Sequence, residues 1–487
     1  MSTEETDRRI LEGPLAFEAF RFGLPLALGM ALQTTFNLVD AYLVARLPAG
    51  EVGPAVGALG ICDQLAAVGS ILAYGVSTAT ASLISSRKGA KDGVGVASAF
   101  RHSLWVLGVM GAIFAFVGLF GAGFLVRDLL GIKGAVADVT VPCLRVLFCG
   151  NFTIFFLLHL TTVQRALGSS KTPVALLVLG NVLNLVLAVP FIYGPEGAPP
   201  AFAFGNTIAR VLHIPHLGLV GGAWATVIAR VVTLVPITWL LIRRFPMLRR
   251  PPGADGSRGR IPLDRVEIKR MLGLSWPSSA EFVVRIVAML VLASFVARVL
   301  TTEHDQSAQS AMGIVFRLDT MVLFVAMGWG NGAQTFVAQN LGAGAIDRAK
   351  RSGVIFALYA AASLAIFSVW LGVSGRSVLA FFDSEPQVLG HAVSYLDAVR
   401  LAYPALAFAI VLANGITGAE RPKVALVVDA VVLGGAFPLL LGLSSFGEAS
   451  LTRYGTIYAL INASLGVVFY VVYRRVRFAR VTPPARV

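Results

Sequence analysis

Residues 338–348, Ala-Gln-Asn-Leu-Gly-Ala-Gly-Ala-Ile-Asp-Arg, follow a long apolar stretch, and residues 81–91 occupy the corresponding place in the first half of the chain. A second pair of similar loops, at residues 166–176 and 416–426, again follows apolar stretches. Similar segments at matching places in two halves indicate an internal repeat, which many membrane transporters contain. The repeat predicts two similar halves that face each other across a central cleft.

The composition around these loops excludes an ordinary water-soluble protein. Of the 487 residues, 56% are hydrophobic and only 14% are charged, whereas soluble domains carry about 25% charged residues. The same figures exclude an intrinsically disordered chain and a disulfide-rich secreted module. Because backbone groups in lipid must be bonded within their own segment, helices are the expected spanning structure. We therefore predict an all-α polytopic membrane protein.

A membrane-spanning helix needs about 20 apolar residues, and stretches of that length recur along the whole chain. The sequence predicts twelve spans with these bounds: 20–45, 55–85, 97–126, 139–164, 172–194, 217–242, 272–300, 308–336, 352–380, 391–414, 422–444 and 455–474. Six spans fall in each half, so the two halves enter the membrane in the same sense.

The distribution of Lys and Arg indicates the orientation. Most of these residues lie in the two tails and in the loops on the same side as the tails, which the positive-inside rule assigns to the cytoplasm. This asymmetry accounts for much of the net charge of +14, so we expect no nucleic-acid partner. The predicted protein lies in the plasma (inner) membrane with both termini cytoplasmic. Its predicted parts are a cytoplasmic tail (1–19), an amino half of six helices (20–244), a cytoplasmic linker (245–270), a carboxy half of six helices (271–475) and a second tail (476–487).

Polar motifs inside the predicted helices allow a more specific interpretation. Besides Val-Ala-Gln-Asn-Leu-Gly-Ala-Gly at 337–344, they are Val39-Asp40, Asn184 with Phe-Ile-Tyr-Gly at 191–194, Gly-Gly-Ala-Trp-Ala-Thr at 221–226 and Gly-Ile-Val-Phe-Arg-Leu-Asp at 313–319. Together, and in this order, they resemble the multidrug and toxic compound extrusion (MATE) family of cation-coupled exporters. The segment that begins at 337 resembles that family's G-Q-N-L-G-A-G-x-x-x-R-A signature, with Ala338 in place of the usual glycine. The resemblance implies twelve helices in two six-helix halves and export driven by inward proton or sodium flow.

Asp40 is the first candidate for the coupling cation, because an ionisable group within a span is costly unless it faces a cavity or a partner. It lies about 22 Å along the helix from Pro25 at 1.5 Å per residue. The MATE resemblance implies that Asp40 is the coupling acid of the amino half and that the helix bends at Pro25, the predicted hinge. Gln33 lies two turns before Asp40 on the same face, so we expect both in the substrate cleft. A helix end wetted by outside water is the alternative for Asp40, and a bond between helices is the alternative for Gln33.

The neighbours of Asp40 depart from one branch of the family. Archaeal-type members have a second Asp four residues after the position matched by Asn184, where this chain has Ala188. We therefore expect Asn181, Asn184 and Thr226 to act as neutral cation-coupling ligands around a single carboxylate.

The carboxy half has a candidate of its own in Glu281, whose position resembles that of a Glu used for monovalent cation binding in another branch of the family. Arg285 follows four residues later on the same face and would neutralise it. The pair is either structural or a switch in which a cation or a cationic substrate displaces Arg285 within the substrate cleft. In that branch a second acid helps to bind the cation, but its position aligns near Leu406 in this chain. Sodium would therefore lack a ligand, which favours protons over sodium.

Three other groups of charged residues have simpler interpretations. Arg317 and Asp319, two residues apart, face different directions and need separate partners; bonding between helices is the simplest role, and the family motif leaves a place in the substrate cleft open for Asp319. The 340–349 loop is predicted to be structural, with Arg348 bonding a helix end. Asp63 and Asp429 have no assigned role.

Other functional classes have little support in the sequence. There is no P-loop, no metal-ligand set and no catalytic constellation, so we expect no enzyme and no cofactor beyond a coupling H⁺ or Na⁺. The predicted function is secondary active export of amphipathic, often cationic small organic compounds by alternating access, in exchange for protons rather than sodium. The alternative is a flippase for a lipid-linked precursor, which shares the larger superfamily fold. The expected partners are small amphipathic substrates, the coupling ion and membrane lipid, with a monomeric protein.

Overall fold

The computed structural model describes residues 3–248, 262–302, 305–382, 385–444 and 450–479. Most of the predicted linker, residues 249–261, and the end of the predicted second tail, residues 480–487, lie outside the described residues. The described residues form helices and connecting turns with no β-strand among them. The prediction of an all-α membrane protein is confirmed.

Seventeen α-helices make up the described part of the chain. They are α1 Thr3–Glu12, α2 Leu15–Ala45, α3 Ala49–Gly89, α4 Gly93–Phe116, α5 Gly134–Cys149, α6 Asn151–Ala166, α7 Lys171–Tyr193, α8 Phe204–Leu212, α9 Gly218–Arg244, α10 Arg265–Val299, α11 Ser307–Gly342, α12 Ile346–Ala380, α13 Pro386–Val399, α14 Tyr403–Gly418, α15 Pro422–Val431, α16 Phe437–Ser444 and α17 Leu451–Arg475. Short π-helical turns continue α4 at Val117–Gly121 and Phe124–Leu129, and another joins α15 to α16 at Val432–Ala436.

The number of membrane spans agrees with the prediction. Within the described residues, eleven helical segments are long and apolar enough to cross a membrane, or twelve spans when the bent pair α5 and α6 counts as one. The pair is the predicted span 139–164, and its two helices meet at an angle of 43°. A Cβ atom at Gly150, where they join, would overlap the side chain of Val227 on α9. The close approach of α9 at this junction therefore favours a residue without a side chain at position 150.

The structure separates into two compact units. The carboxy unit consists of the described residues of Met1–Ala31, Ala81–Asp92 and Trp276–Val487, and the amino unit consists of those of Leu32–Thr80 and Gly93–Ser275. Helices α2 and α3 each contribute to both units. The units therefore do not coincide with the halves 20–244 and 271–475, which stay a prediction.

Inside the carboxy unit, the segment at residues 338–348 packs closely against its neighbours. Helix α11 runs to Gly342, where an added Cβ would overlap the backbone of Ser86. Arg348, at the start of α12, donates hydrogen bonds to the carbonyl oxygens of Ile10 and Gly13 at the end of α1. These bonds confirm the predicted role of Arg348 at a helix end, because the last carbonyls of a helix lack partners within it.

Candidate functional site

Asp40 lies in the amino unit and accepts hydrogen bonds from a neighbouring helix. Asn184 on α7 donates from Nδ2 to both carboxylate oxygens of Asp40, at 3.2 and 3.0 Å. The Thr226 hydroxyl on α9 lies 3.2 Å from Asn184 Oδ1 and 2.9 Å from the Gly222 carbonyl oxygen, and its single hydrogen serves one acceptor at a time. When it donates to Asn184, it orients the amide so that its donor group faces the carboxylate. Two of the three predicted ligands thus form one chain of hydrogen bonds that ends on Asp40.

The third predicted ligand, Asn181, lies one helical turn before Asn184 and has a different partner. Its Nδ2 donates to Gln33 Oε1 at 3.3 Å. Asn181 therefore contacts Gln33 and not Asp40, and two polar contacts join α2 to α7 within this unit. For Gln33 this is the bond between helices that the sequence analysis left open as the alternative.

Arg230 and Asp63 complete the charged group around Asp40, and sequence reasoning assigned a role to neither. Arg230 interacts electrostatically with both Asp40 and Asp63. Asp63, on α3, is exposed, whereas Asp40 and Arg230 are half-buried. Asp40, Asp63 and Arg230 together form the amino cluster, and the expectation that a single carboxylate titrates there stays a prediction. Arg230 lies four residues after Thr226, and this spacing was the available signal.

A second charged group lies inside the carboxy unit. Arg285 contacts Glu281 Oε1 at 3.4 Å, which confirms the predicted pair, and it contacts Asp429 Oδ2 at 2.8 Å. The side chain of Asp429, on α15, is fully buried, and those of Arg285 and Glu281 are 8% and 13% exposed. Together they form a carboxy cluster that again combines two carboxylates with one guanidinium. Asp429 had no assigned role because its partner comes from a distant helix.

Asp319 lies in a buried setting of aromatic hydroxyl groups. Tyr403 donates its hydroxyl to Asp319 Oδ1 at 2.7 Å, and Asp319 is 4% exposed. Tyr458 interacts electrostatically with both Asp319 and Arg285. Arg317 is exposed and stacks against the ring of Phe382, with its guanidinium carbon 5.8 Å from the ring centroid. Asp319 on α11 is therefore bonded to α14 inside the carboxy unit, which is the bonding between helices that the sequence favoured. Its place in the substrate cleft stays a prediction.

Pro25, the predicted hinge, lies inside α2, which continues on both sides of it. Proline removes one hydrogen bond from the helix and clashes with the preceding turn. Pro25 therefore weakens the hydrogen bonding of α2 at a point that belongs to the carboxy unit. This point lies fifteen residues before Asp40, which belongs to the amino unit. Hinge motion stays a prediction.

Comparison with known proteins places this geometry in a family. The MatE family model matches residues 25–189 and 277–440, one segment in each half of the chain. The chain belongs to the MatE family. The matched segments include Asp40 and Asn184 in the first half and Glu281 and Asp429 in the second.

Curated relatives of this MatE chain match most of its length. It is 25% identical over 412 residues to the probable multidrug resistance protein YpnP of Bacillus subtilis (strain 168), covering 84% of this chain and 83% of that protein. It is 23% identical over 481 residues to a FAD transporter of Shewanella oneidensis (strain ATCC 700550 / JCM 31522 / CIP 106686 / LMG 19005 / NCIMB 14063 / MR-1), covering 96% of each. Known relatives thus include proteins named for different cargoes.

Solved MATE structures share the fold. A crystal structure of MATE in the straight conformation matches with a TM-score of 0.82 and 20% identity, covering 97% of this chain and 98% of that one. An outward-facing multidrug resistance MATE transporter of the MOP superfamily matches with a TM-score of 0.81 and 21% identity, covering 96% of each chain. The chain therefore shares the fold of these proteins, and its match to the MatE family model makes it a polytopic membrane transporter.

Proposed function

We propose that this MatE protein is a secondary active exporter that exchanges protons for amphipathic, often cationic compounds by alternating access. The observation that carries the proposal is the hydrogen-bond chain from Thr226 through Asn184 to Asp40. It holds one titratable carboxylate within reach of Arg230. Protonation of Asp40 neutralises its carboxylate, so that Arg230 is then attracted only by the carboxylate of Asp63 within this cluster. A proton and a cationic substrate would compete for the same carboxylate, and this competition couples the two fluxes.

The chemistry of the site favours a proton over sodium. Small hard cations prefer oxygen ligands, and Asn184 presents its N–H donors to Asp40 while its oxygen accepts from Thr226. Arg230 adds a positive charge that repels a second cation. A proton needs none of these ligands, because a carboxyl group can hold it alone.

The carboxy cluster is a candidate for a second protonation site. When ionised, Glu281, Asp429 and Arg285 together carry one surplus negative charge in a buried setting. Leaving a buried charge uncompensated costs several kcal/mol, so we propose that the two acids share one proton while Arg285 bridges them. This makes the switch, in which Arg285 exchanges partners, the favoured interpretation of the Glu281–Arg285 pair.

The number of proton sites determines how the membrane potential acts. Exchange of one proton for one singly charged cation moves no net charge, so only the pH gradient drives it. A second proton would make the exchange electrogenic and would add about 2.3 kcal/mol per 100 mV. The two clusters thus predict that both the pH gradient and the potential contribute.

The experiment measures ethidium and norfloxacin transport in proteoliposomes while the pH gradient, the sodium gradient and the potential are removed one at a time. We expect wild-type transport to fall when either the pH gradient or the potential is removed, to stop when both are removed, and to continue without sodium. Asp40→Asn should lose proton-driven transport, and Glu281→Gln should lose its dependence on the potential. Asp138→Asn, at an exposed carboxylate paired with Arg127, is the matched control. Transport by well-folded Asp40→Asn protein that still follows the pH gradient would contradict the assignment.

A second candidate cargo is a flavin dinucleotide, because the relative from Shewanella oneidensis that matches over 96% of both chains is named a FAD transporter. FAD is anionic through its phosphates, so Arg230 would attract it and Asp40 would repel it. The same proteoliposomes, offered FAD in place of ethidium, distinguish the two cargoes. The lipid-linked precursor flippase stays a prediction that these comparisons do not test.

A further inference from the structure

A long groove follows an exposed face of α9 in the amino unit. Its volume is about 920 Å³, and its walls are mostly apolar side chains of α9, together with Phe152 at the start of α6. Val235 and Trp239, in the middle of the groove, are 67% and 55% exposed. On a membrane-spanning helix such side chains face the acyl chains of the bilayer, and the groove gives one acyl chain a defined place among them.

The length of the groove matches one leaflet of a bilayer. It extends from Val231 to Arg243, and twelve residues at 1.5 Å each span about 18 Å of helix. Half of a hydrocarbon core of about 30 Å is about 15 Å. The groove therefore fits the depth of one acyl chain, with Arg243 at the level of the headgroups.

The end of the groove near Arg243 is positively charged. The guanidinium of Arg243 stacks over Trp239, 4.9 Å from the ring centroid, and Arg244 donates to Ser169 Oγ at 3.3 Å. In the described part of the chain, neither arginine forms an ion pair with a carboxylate. Two guanidinium groups with free donor capacity favour a phosphate, whose oxygens accept hydrogen bonds.

A smaller cavity adjoins this end and carries a separate signal. Its volume is about 390 Å³, and Trp239, Arg243, Arg244 and Gln164 are among its lining residues. Gln164 is 2% exposed; its Nε2 donates to the carbonyl oxygen of Ile237, and its Oε1 has no hydrogen-bond partner among the described residues. A buried acceptor without a donor is costly. A headgroup that carries both a phosphate and a hydroxyl would satisfy the arginines and Gln164 together.

We propose that this groove binds an anionic phospholipid with a hydroxyl-bearing headgroup, such as phosphatidylglycerol. One acyl chain lies along Val231, Val235 and Trp239, and the phosphate lies at Arg243 and Arg244. A zwitterionic headgroup would bring its own cation to the two arginines and is disfavoured. Free phosphate would leave the apolar groove unfilled. The site is independent of the proposed transport cycle.

The test uses tryptophan fluorescence in phosphatidylcholine vesicles that contain a minor fraction of one lipid with brominated chains, which quench a tryptophan on contact. We expect brominated phosphatidylglycerol to quench the wild type at lower lipid fractions than brominated phosphatidylcholine does. Each arginine near the surface contributes about five-fold in affinity for an anionic lipid. Arg243→Gln/Arg244→Gln should abolish the preference. Trp239→Phe should also remove it, because the other exposed tryptophans, Trp105, Trp224, Trp276 and Trp370, lie outside the groove and are quenched equally by both lipids.

The matched control is Arg474→Gln/Arg475→Gln at the end of α17, where Arg474 stacks over Tyr470 as Arg243 does over Trp239. It removes the same charge and should keep the preference. Equal quenching by the two lipids in the wild type, or equal loss in both arginine pairs, would overturn the proposal. If the Arg243/Arg244 variant does not fold, Val235→Asn provides the second test. It should weaken quenching by both lipids without changing their ratio, and an unchanged affinity would exclude the acyl-chain site.

Discussion

The amino cluster and the carboxy cluster have the same charges in different surroundings. The amino cluster combines Asp40, Asp63 and Arg230; Asp63 is exposed, and the other two are half-buried. In the carboxy cluster, Asp429 is fully buried and Arg285 is buried between its two acids. Each cluster carries one surplus negative charge when all its groups are ionised.

Two carboxylates and one guanidinium can either exchange a proton readily or retain it. The solvent access of the three side chains determines which. Asp63 is exposed and Asp40 is half-buried, so we infer that the amino cluster is the more accessible of the two to protons. Asp429 is fully buried, and its charge must be matched within the protein. We infer that the carboxy cluster retains its proton until its helices move.

The largest effect is expected from Arg285→Gln, which leaves two buried carboxylates without their cation. Removing one partner of a buried ion pair costs about 3–5 kcal/mol, and we expect a corresponding loss of thermal stability in detergent. Lowering the pH neutralises both acids, so the variant should regain stability on acidification. Adding Asp429→Asn should restore part of the loss at neutral pH.

The matched control for Arg285→Gln is Arg127→Gln, which breaks the exposed pair with Asp138 at 2.9 Å. Exposed pairs contribute about 0–1 kcal/mol, so little change is expected. Equal losses of thermal stability in the two variants would show that burial of the carboxy cluster does not determine how much its ion pairs contribute to stability.

Asn184→Ala should have the next largest effect, because it removes the donor to the Asp40 carboxylate. Hydrogen bonds to charged groups contribute about 1.5–3 kcal/mol, so the apparent affinity for the coupling proton should change by roughly ten-fold or more, measured as the pH dependence of ethidium transport. Asn181→Ala, one turn away on α7, removes only the bond to Gln33. A pH profile altered as much by Asn181→Ala would contradict the special role of Asn184.

Tyr403→Phe tests the buried acid outside both clusters. The variant removes the hydroxyl that donates to Asp319 at 2.7 Å, and leaving a buried polar group without its partner costs about 1–3 kcal/mol. The thermal stability of the purified protein should fall accordingly. Tyr454→Phe is the control, since the buried Tyr454 hydroxyl has no hydrogen-bond partner among the described residues. A loss of the same size in both variants would assign the effect to packing of the ring edge.

Parts of this arrangement that depend on local spacing were predictable from the sequence. The spans follow from hydropathy, and the Glu281–Arg285 pair follows from the four-residue spacing of one helix. The placement of Asp40 beside Asn184 rested on the family resemblance, because the two residues lie on different helices far apart in the sequence. Physical chemistry of single segments does not determine which helix faces which.

The same reason explains what sequence reasoning missed. Asp429 reaches Arg285 from another helix, and no pattern around either residue specifies that contact. Bonding between helices was the simplest predicted role of Asp319, but only tertiary packing identifies Tyr403 as its partner. Arg230 was different, since its four-residue spacing from Thr226 placed both on the face of α9 that the structure turns towards Asp40. A positive charge on that face was predictable.

Thr226→Val should have the smallest effect and is the finest test of the amino cluster. The variant keeps the shape of the side chain and removes a hydroxyl whose single hydrogen is shared between Asn184 Oδ1 at 3.2 Å and the Gly222 carbonyl oxygen at 2.9 Å. A neutral hydrogen bond contributes about 0.5–1.5 kcal/mol, so the apparent affinity for the coupling proton should change by only a few-fold. Thr233→Val on the same helix removes a hydroxyl that bonds the Ala229 carbonyl oxygen, without a contact to Asn184. Both variants should lose similar stability, and only Thr226→Val should alter the pH dependence of transport. An unaltered pH profile would mean that Asn184 keeps its orientation without Thr226, and the chain of hydrogen bonds would then end at the amide.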